Sequence, residues 1–211
     1  MLFQPGKNDD QGNYQVLTIK CIRSILIAAL FLSGIGSVHA SSDKFASIEL
    51  FELAMNNGKK YAGEVGYRID EKYQIRFTFM DILLTERHLA SDTEAYAIDG
   101  NNVKGIFKAY EFNLDRFITK RIYASINYGY HENRYTHTVL QNSSVGNSTA
   151  TIGTGIGYFR KNLFGFERAY LNLNMPIRYY VNELEETRLG DATVRPHVIV
   201  NNLWLFVGVV F

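Results

Sequence analysis

Cysteine is all but missing: Cys21 is the only one in 211 residues. It precedes an apolar stretch at residues 25–32 and occupies no cleavage site, which excludes a lipoprotein anchor. A mature chain starting beyond that stretch has no thiol at all. This excludes thiol catalysis, a disulfide scaffold and cysteine-ligated metal, and it suits a route through an oxidising periplasm. A surplus of charge of one sign is missing too. With 22 basic and 21 acidic residues, the chain lacks the cationic footprint of a nucleic-acid binder. Beyond Ala40 no apolar run approaches the roughly 20 residues of a spanning helix, so helical membrane insertion is excluded.

Two features are present at the ends. Near the N-terminus Lys20 and Arg23 precede the apolar run 25–32, and Ser33-Gly34-Ile35-Gly36-Ser37-Val38-His39-Ala40 follows. A basic flank, a short apolar core and small residues at the last and third-last positions predict a secretory signal peptide cleaved after Ala40. Residues 1–40 are therefore read as an N-terminal extension plus signal peptide, and 41–211 as one domain. The polar stretch 1–17 points to a true translation start near Val16 or Leu17. At the other end, Leu203-Trp204-Leu205-Phe206-Val207-Gly208-Val209-Val210-Phe211 is a β-prone apolar segment ending on an aromatic ring. Leu203, Leu205, Val207, Val209 and Phe211 share one face. A soluble chain ending so would offer an aggregating edge; a closed barrel in lipid pairs that edge and needs that face.

Between the ends, apolar and polar residues alternate with period two, the signature of strands with one apolar and one polar face. Tyr61, Gly63, Val65, Tyr67 and Ile69 lead through the turn at 70–72 to Tyr73, Ile75, Phe77 and Phe79. The rhythm recurs at Tyr110–Phe112–Leu114, at Ile122–Ala124–Ile126–Tyr128–Tyr130, at Ala150–Ile152–Ile156–Tyr158 and at Ala169–Leu171–Leu173–Met175–Ile177. With a first strand at 45–54 and a last at about 194–211, the count is eight. Phe51 and Glu52 break the first strand's pattern, so a bulge or a helical turn is expected there. Trp204 and Phe206 put apolar groups on the inner face of the last strand, and Pro196 suits a rim or bulge. The expected fold is all-β, an eight-stranded antiparallel up-and-down transmembrane barrel.

Short links at 70–72, 115–120 and 161–167 alternate with longer polar ones at 81–103, 133–147 and 182–193, which predicts periplasmic turns and external loops respectively. On that orientation Tyr67, Tyr73, Phe112, Tyr158 and Phe211 are expected in a periplasmic aromatic girdle. Tyr61, Phe79, Tyr128, Tyr130 and Tyr179 are expected in an outer one. The lumen is expected to receive Glu64, Arg68, Gln74, Arg76, Thr78, Glu111, Asn113, Ser125, Asn127, Asn172, Asn174 and Arg178. Glu64, Arg68, Arg76, Glu111, Asn127, Asn172, Asn174 and Arg178 are the core of this polar network. Two readings of it stand: a filled interior of paired charges, or a gated path for small solutes. Gly153, Gly155 and Gly157 face inward, leaving room for Arg or Tyr from opposite strands. As a phosphate cradle they are weak, since no helix follows.

The alternation, the loop asymmetry and the terminal phenylalanine resemble the small eight-stranded outer-membrane barrels of the OmpA transmembrane domain, OmpX and OmpW group. The resemblance spans residues 41–211 and implies a Gram-negative outer-membrane location, with outer-membrane lipids and lipopolysaccharide around the barrel. It also implies recognition of the C-terminal strand ending at Phe211 by the barrel-assembly machinery, and small solutes or surface ligands at the external loops. Members of the group are anchors, adhesion or defence factors, porin-like narrow pores, or lipid A enzymes. No cofactor, metal or nucleic acid is implied. The expected function is a structural, surface-interaction or narrow-pore barrel without catalysis. A lipid A-modifying enzyme and a soluble lipocalin-like ligand carrier are the alternatives.

Catalysis would need a histidine base near a nucleophile. His131 beside Glu132 is expected at the outer rim, His137 in the loop with Ser143 and Ser144, and His88 beside Glu86 and Arg87. No His, Ser and acid share a strand face, and the His-x-Ser motif of the lipid A deacylases is missing. His131 and His137 lack metal-ligand spacing. The sequons at Asn142 and Asn147 read as loop composition. Lys59, Lys60, Lys104, Lys108 and Arg134 gather at the outer rim, either solvated or against lipopolysaccharide phosphates.

Overall fold

In the computed structural model the described residues are 43–55, 60–93, 102–140, 144–182, 186–190, 192–194 and 199–211. The export segment with its cleavage position at Ala40, Lys59, Asn142, Ser143 and Pro196 lie outside them.

The strands are β1 (Asp43–Glu49), β2 (Tyr61–Arg68), β3 (Tyr73–Leu83), β4 (Val103–Phe117), β5 (Ile122–His137), β6 (Ser144–Leu163) and β7 (Phe166–Tyr180), followed by the short β8 (Thr187–Leu189), β9 (Ala192–Val194) and β10 (Ile199–Asn201), and finally β11 (Trp204–Val210). Two short helices, α1 (Leu50–Met55) and α2 (Glu86–Asp92), follow β1 and β3. Strands β1 to β7 pair in sequence, all antiparallel; β11 then pairs with β7 on one side and β1 on the other, closing the sheet. Asn201 lies opposite Ile177 and Trp204 opposite Asn174, so β10 and β11 hold one unbroken register on β7 and form a single interrupted eighth strand. The barrel thus has eight staves, and closure leaves no free sheet edge along its waist.

Several boundaries differ from the sequence-based expectation. The first strand stops at Glu49, and the residues that break its alternation form α1. The buried Glu49 carboxylate accepts the N–H of Glu52 at the start of that helix and the N–H of Leu205 at 2.9 Å, where β1 leaves the sheet. The last stave begins at Ile199; Val194 belongs instead to the β8–β9 hairpin. Strand β4 runs through Asp115 to Phe117, which removes Asp115 from the turn. The long-loop end is also taller than expected: β5 and β6 stay paired up to Thr136 opposite Ser144, so 133–147 is mostly strand. The opposite end is tight. Leu163 pairs with Phe166 around Phe164 and Gly165, both at positive φ (52° and 83°), a two-residue turn matched to strand twist.

The outer wall alternates as the sequence does. Tyr110, Phe112, Leu114, Ile126, Tyr128, Ile152, Ile156 and Met175 point out and are exposed, while their neighbours are buried. Charge frames this apolar belt, with Asp81, Lys108 and Glu132 above it and Arg116, Arg160 and Glu167 below. Leaving such a belt in water would cost about 25 cal/mol per Å² of apolar surface; acyl chains remove that cost. A soluble carrier would place its apolar face inward, so this exterior excludes the lipocalin-like reading.

Register corrects one girdle residue. Phe112 lies opposite both Phe77 and Tyr128. Direct partners across a ladder are only about 5 Å apart, so Phe112 cannot sit in one girdle while Tyr128 sits in the other. It lies level with Tyr128, one outward row below Phe79, Tyr110 and Tyr130. Tyr73 opposite Arg116, and Tyr158 opposite Ile122, lie next to the tight turns. Tyr61 opposite Asp81, and Phe79 opposite Tyr110, which itself pairs with Tyr130, lie at the long-loop end.

Inside, an apolar cluster packs towards each end. Phe45, Phe117, Tyr123, Phe159, Tyr170 and Val210 pack at the tight-turn end. Leu89 of α2, Val103, Tyr135, Leu189 and Val194 pack at the other, where the β8–β9 hairpin folds over the mouth. Tyr123 lies flat against its cross-strand partner Gly157, whose missing side chain leaves the space for the ring. The ring over Gly157 therefore comes from the adjacent strand, where opposite strands were expected to supply Arg or Tyr; Gly153 and Gly155 are approached by Asn127 and Pro176, also of adjacent strands.

Trp204, the only tryptophan, is 2% exposed and faces the lumen beside Phe206. Its fluorescence is expected to be blue-shifted and weakly quenched by acrylamide and by brominated acyl chains. A tryptophan placed by Tyr128→Trp in a Trp204→Phe background should be quenched by the brominated chains several-fold more. Equal quenching at the two positions would contradict the assigned faces.

Candidate functional site

The lumen between the two apolar clusters holds most of the buried charge of the described residues, in two networks; Glu49 stands apart from both. Strand β3 turns Arg76 inward, with Glu64 on one neighbouring strand and Asp115 on the other. Arg76 donates from Nε and Nη2 to Asp115 at 2.5 and 3.1 Å, a forked contact, and from Nη1 to Glu64 at 2.8 Å. All three side chains are at most 3% exposed. Gln74 Nε2 donates to Asp115 at 2.7 Å. Across the barrel, Asn172 Nδ2 donates to both Glu64 oxygens at 2.9 and 3.0 Å, and the Tyr170 hydroxyl donates to Glu64 at 3.2 Å. The Tyr123 hydroxyl donates to Asn172 Oδ1 at 2.7 Å, and its ring lies 5.3 Å from the Arg76 guanidinium. Isolated buried carboxylates would be prohibitive; here each carries a guanidinium and further donors, the condition under which burial is tolerated.

The second network lies towards the long-loop end. Arg178 of β7 pairs with Glu111 of β4 through Nη2 at 2.7 Å and through Nε. His131 Nε2 lies 2.8 Å from Glu111 Oε1, the oxygen that also faces Arg178 Nε. The His131 ring is held edge-on by Phe107 and Tyr180, with centroids 4.9 and 5.8 Å away. A wall of Ala62, Met80, Ile82, Phe107, Ala109, Trp204 and Phe206 flanks this network.

Of the residues expected in the lumen, Glu64, Arg76 and Asn172 meet in the first network and Glu111 and Arg178 in the second. Asn127 and Asn174 are buried and face inward, yet the Asn127 amide and the Asn174 amide nitrogen have no partner among the described residues. Arg68 lies elsewhere. It sits at the tight-turn mouth, its guanidinium 4.1 Å from the centre of the Phe117 ring and donating to the Asp70 and Glu71 carbonyls. As the last residue of β2 it reaches the aqueous rim, where a charge needs no buried partner.

Sequence reasoning missed Asp115, Tyr123, Tyr170 and His131. Alternation alone would have found them, because Asp115 continues the inward series Glu111, Asn113 and His131 continues Asn127, Gly129. His131 was expected at the rim and is instead fully buried.

The three histidines weighed for catalysis lie in different surroundings. His131 uses the same nitrogen for Glu111 and for the Thr151 hydroxyl at 3.5 Å, so no relay from an orienting acid through the ring to a nucleophile exists there. His137 accepts from the backbone of Val139 and Leu140, and His88 contacts Thr85 at 2.9 Å. Among the described residues, no group of three His, Cys, Asp or Glu side chains is arranged to hold a metal ion.

No family model and no curated protein matches the sequence. Solved structures do match the fold. A major outer membrane protein from Thermus thermophilus aligns over 82% of this chain and 100% of its own, with a TM-score of 0.51 at 13% identity. The N-terminal β-barrel domain of Pseudomonas aeruginosa OprF aligns over 81% and 97%, with a TM-score of 0.41 at 14% identity. Neisserial surface protein A aligns over 80% and 93%, with a TM-score of 0.33 at 14% identity. A closed eight-stave antiparallel wall, an apolar belt framed by charge and a polar lumen are together the fold of a small bacterial outer-membrane β-barrel.

Proposed function

We propose that this protein is a sealed outer-membrane barrel with a structural and surface-presenting role and no catalytic chemistry. The observation that carries the reading is the crossing of the lumen: Arg76 and Arg178 span between staves and pair with Glu64, Asp115 and Glu111, and an apolar cluster packs towards each end. Ions crossing this interior would have to break paired charges in a low dielectric. On this reading residues 1–40 direct export and are removed after Ala40, and the assembly machinery engages the strand ending at Phe211. The chain sits among outer-membrane lipids and lipopolysaccharide, with the tight turns in the periplasm. The tall β5–β6 pair, α2 and the β8–β9 hairpin then face the exterior and form the contact surface for external ligands.

A narrow solute path is the second reading, favoured by the unpartnered inward atoms of Ser125, Asn127 and Gln74. Recording in planar bilayers separates the two. The intact barrel is expected to be electrically silent at high protein load; reproducible stepwise conductance would sink the sealed reading and establish the path.

A further inference from the structure

We infer that the outer wall of β4, β5 and β6, just above the apolar belt, holds a binding site for the phosphorylated sugar headgroup of lipid A. This rests on the orientation proposed above, with the long connections outside.

Register locates the site. The outward row Phe79, Tyr110, Tyr130, Ala150 closes the belt, and the next outward row is Asp81, Lys108, Glu132, Ser148. Above that come Ile106, Arg134 and Gly146. Long side chains on β4 and β5 therefore face small ones on β6. The result is a concavity of about 440 Å³ bounded by Lys60, Ile106, Lys108, Glu132, Arg134 and Ser148.

The charges in it are unequally committed. Lys60 is paired with Asp81 at 2.5 Å. The side chains of Lys108, Glu132 and Arg134 make no hydrogen bond or ion pair with any described residue, although Lys108 and Glu132 are direct cross-strand partners. Two open cations at the boundary between hydrocarbon and headgroups fit a phosphate, where partial desolvation strengthens charge-assisted contacts. A bare anion would favour an all-cationic patch. Glu132 between the cations instead offers an acceptor for hydroxyl or amide N–H groups, which a phosphorylated, N-acylated sugar carries. Directly beneath lie the exposed faces of Tyr110, Tyr128, Tyr130 and Ile152, an apolar track along which acyl chains can run. Head and tail requirements thus meet in one continuous surface.

The test uses the full-length mature barrel, purified in detergent and identified as folded by its gel shift without heating. The probes are bisphosphorylated hexa-acyl lipid A, the same lipid with its phosphates removed, and inorganic phosphate. Retained lipid is counted by native mass spectrometry. Bisphosphorylated lipid A should be retained and should raise the unfolding midpoint, whereas the dephosphorylated lipid and free phosphate should do neither. Lys108→Gln with Arg134→Gln should weaken retention about tenfold or more, two charge-assisted contacts being lost. Arg116→Gln with Arg160→Gln, at the opposite rim, should leave it unchanged. Equal retention by the two paired variants, or equal retention of lipid lacking phosphate, overturns the site. A chain that shows no gel shift in any detergent overturns the spanning orientation beneath it, a separate failure.

Discussion

Replacing Arg76 with leucine is expected to destabilise the barrel by about 3–5 kcal/mol, the range for removing one partner of a buried ion pair. The reason is what remains behind. Glu64 and Asp115 are both fully buried on the strands flanking β3, and their shared cation is the guanidinium. Without it two carboxylates keep their desolvation cost and lose its compensation. Arg76→Lys retains charge but not the forked geometry towards Asp115, so a smaller loss of about 1–3 kcal/mol is expected. Adding Glu64→Gln and Asp115→Asn to Arg76→Leu should recover much of the loss, because the stranded charges are gone. Urea titration of the unheated gel band, or of Trp204 emission, measures all three. An Arg76→Leu barrel within about 1 kcal/mol of the parent would refute the assigned network.

The second large effect is expected at Tyr123. Its ring fills the space over Gly157, packs 5.4 Å from Phe117, lies 5.3 Å from the Arg76 guanidinium and donates to Asn172 at 2.7 Å. Tyr123→Ala should cost about 3–5 kcal/mol, as for large aromatic-to-alanine truncations in packed interiors. It should also open the tight-turn plug, so that a silent barrel begins to show brief conductance steps. Tyr123→Phe removes only the hydroxyl. It should cost about 1 kcal/mol and leave the barrel silent. Conductance in the phenylalanine variant equal to that in the alanine variant would mean that the ring does not form the seal.

These two residues also show how far the sequence can be read. Alternation with Ile75 and Phe77 places Arg76 in the lumen. Its partner Asp115 reads as a turn residue, because acidic residues favour turns. Continued pairing of β4 with β3 and β5 overrides that local preference and carries the carboxylate inside. His131 follows the same logic: a histidine beside Glu132 looks solvated until the height of β5 is known. Phe112 is put at the wrong level because position along one strand does not reveal the register of its neighbours. Arg68 is put in the lumen because alternation gives the direction of a side chain and says nothing of where the wall ends.

The sequence by itself determined that the chain is a wall of alternating faces, which face meets lipid, how many staves there are and which links are tight. All of these are local properties, since a period of two is written into consecutive residues. Only the tertiary structure decided which charge meets which, where the eighth stave is interrupted, and which apolar side chains pack together at each end. Those outcomes depend on register, closure and the filling of one shared interior, and each is a relation between residues far apart in the chain.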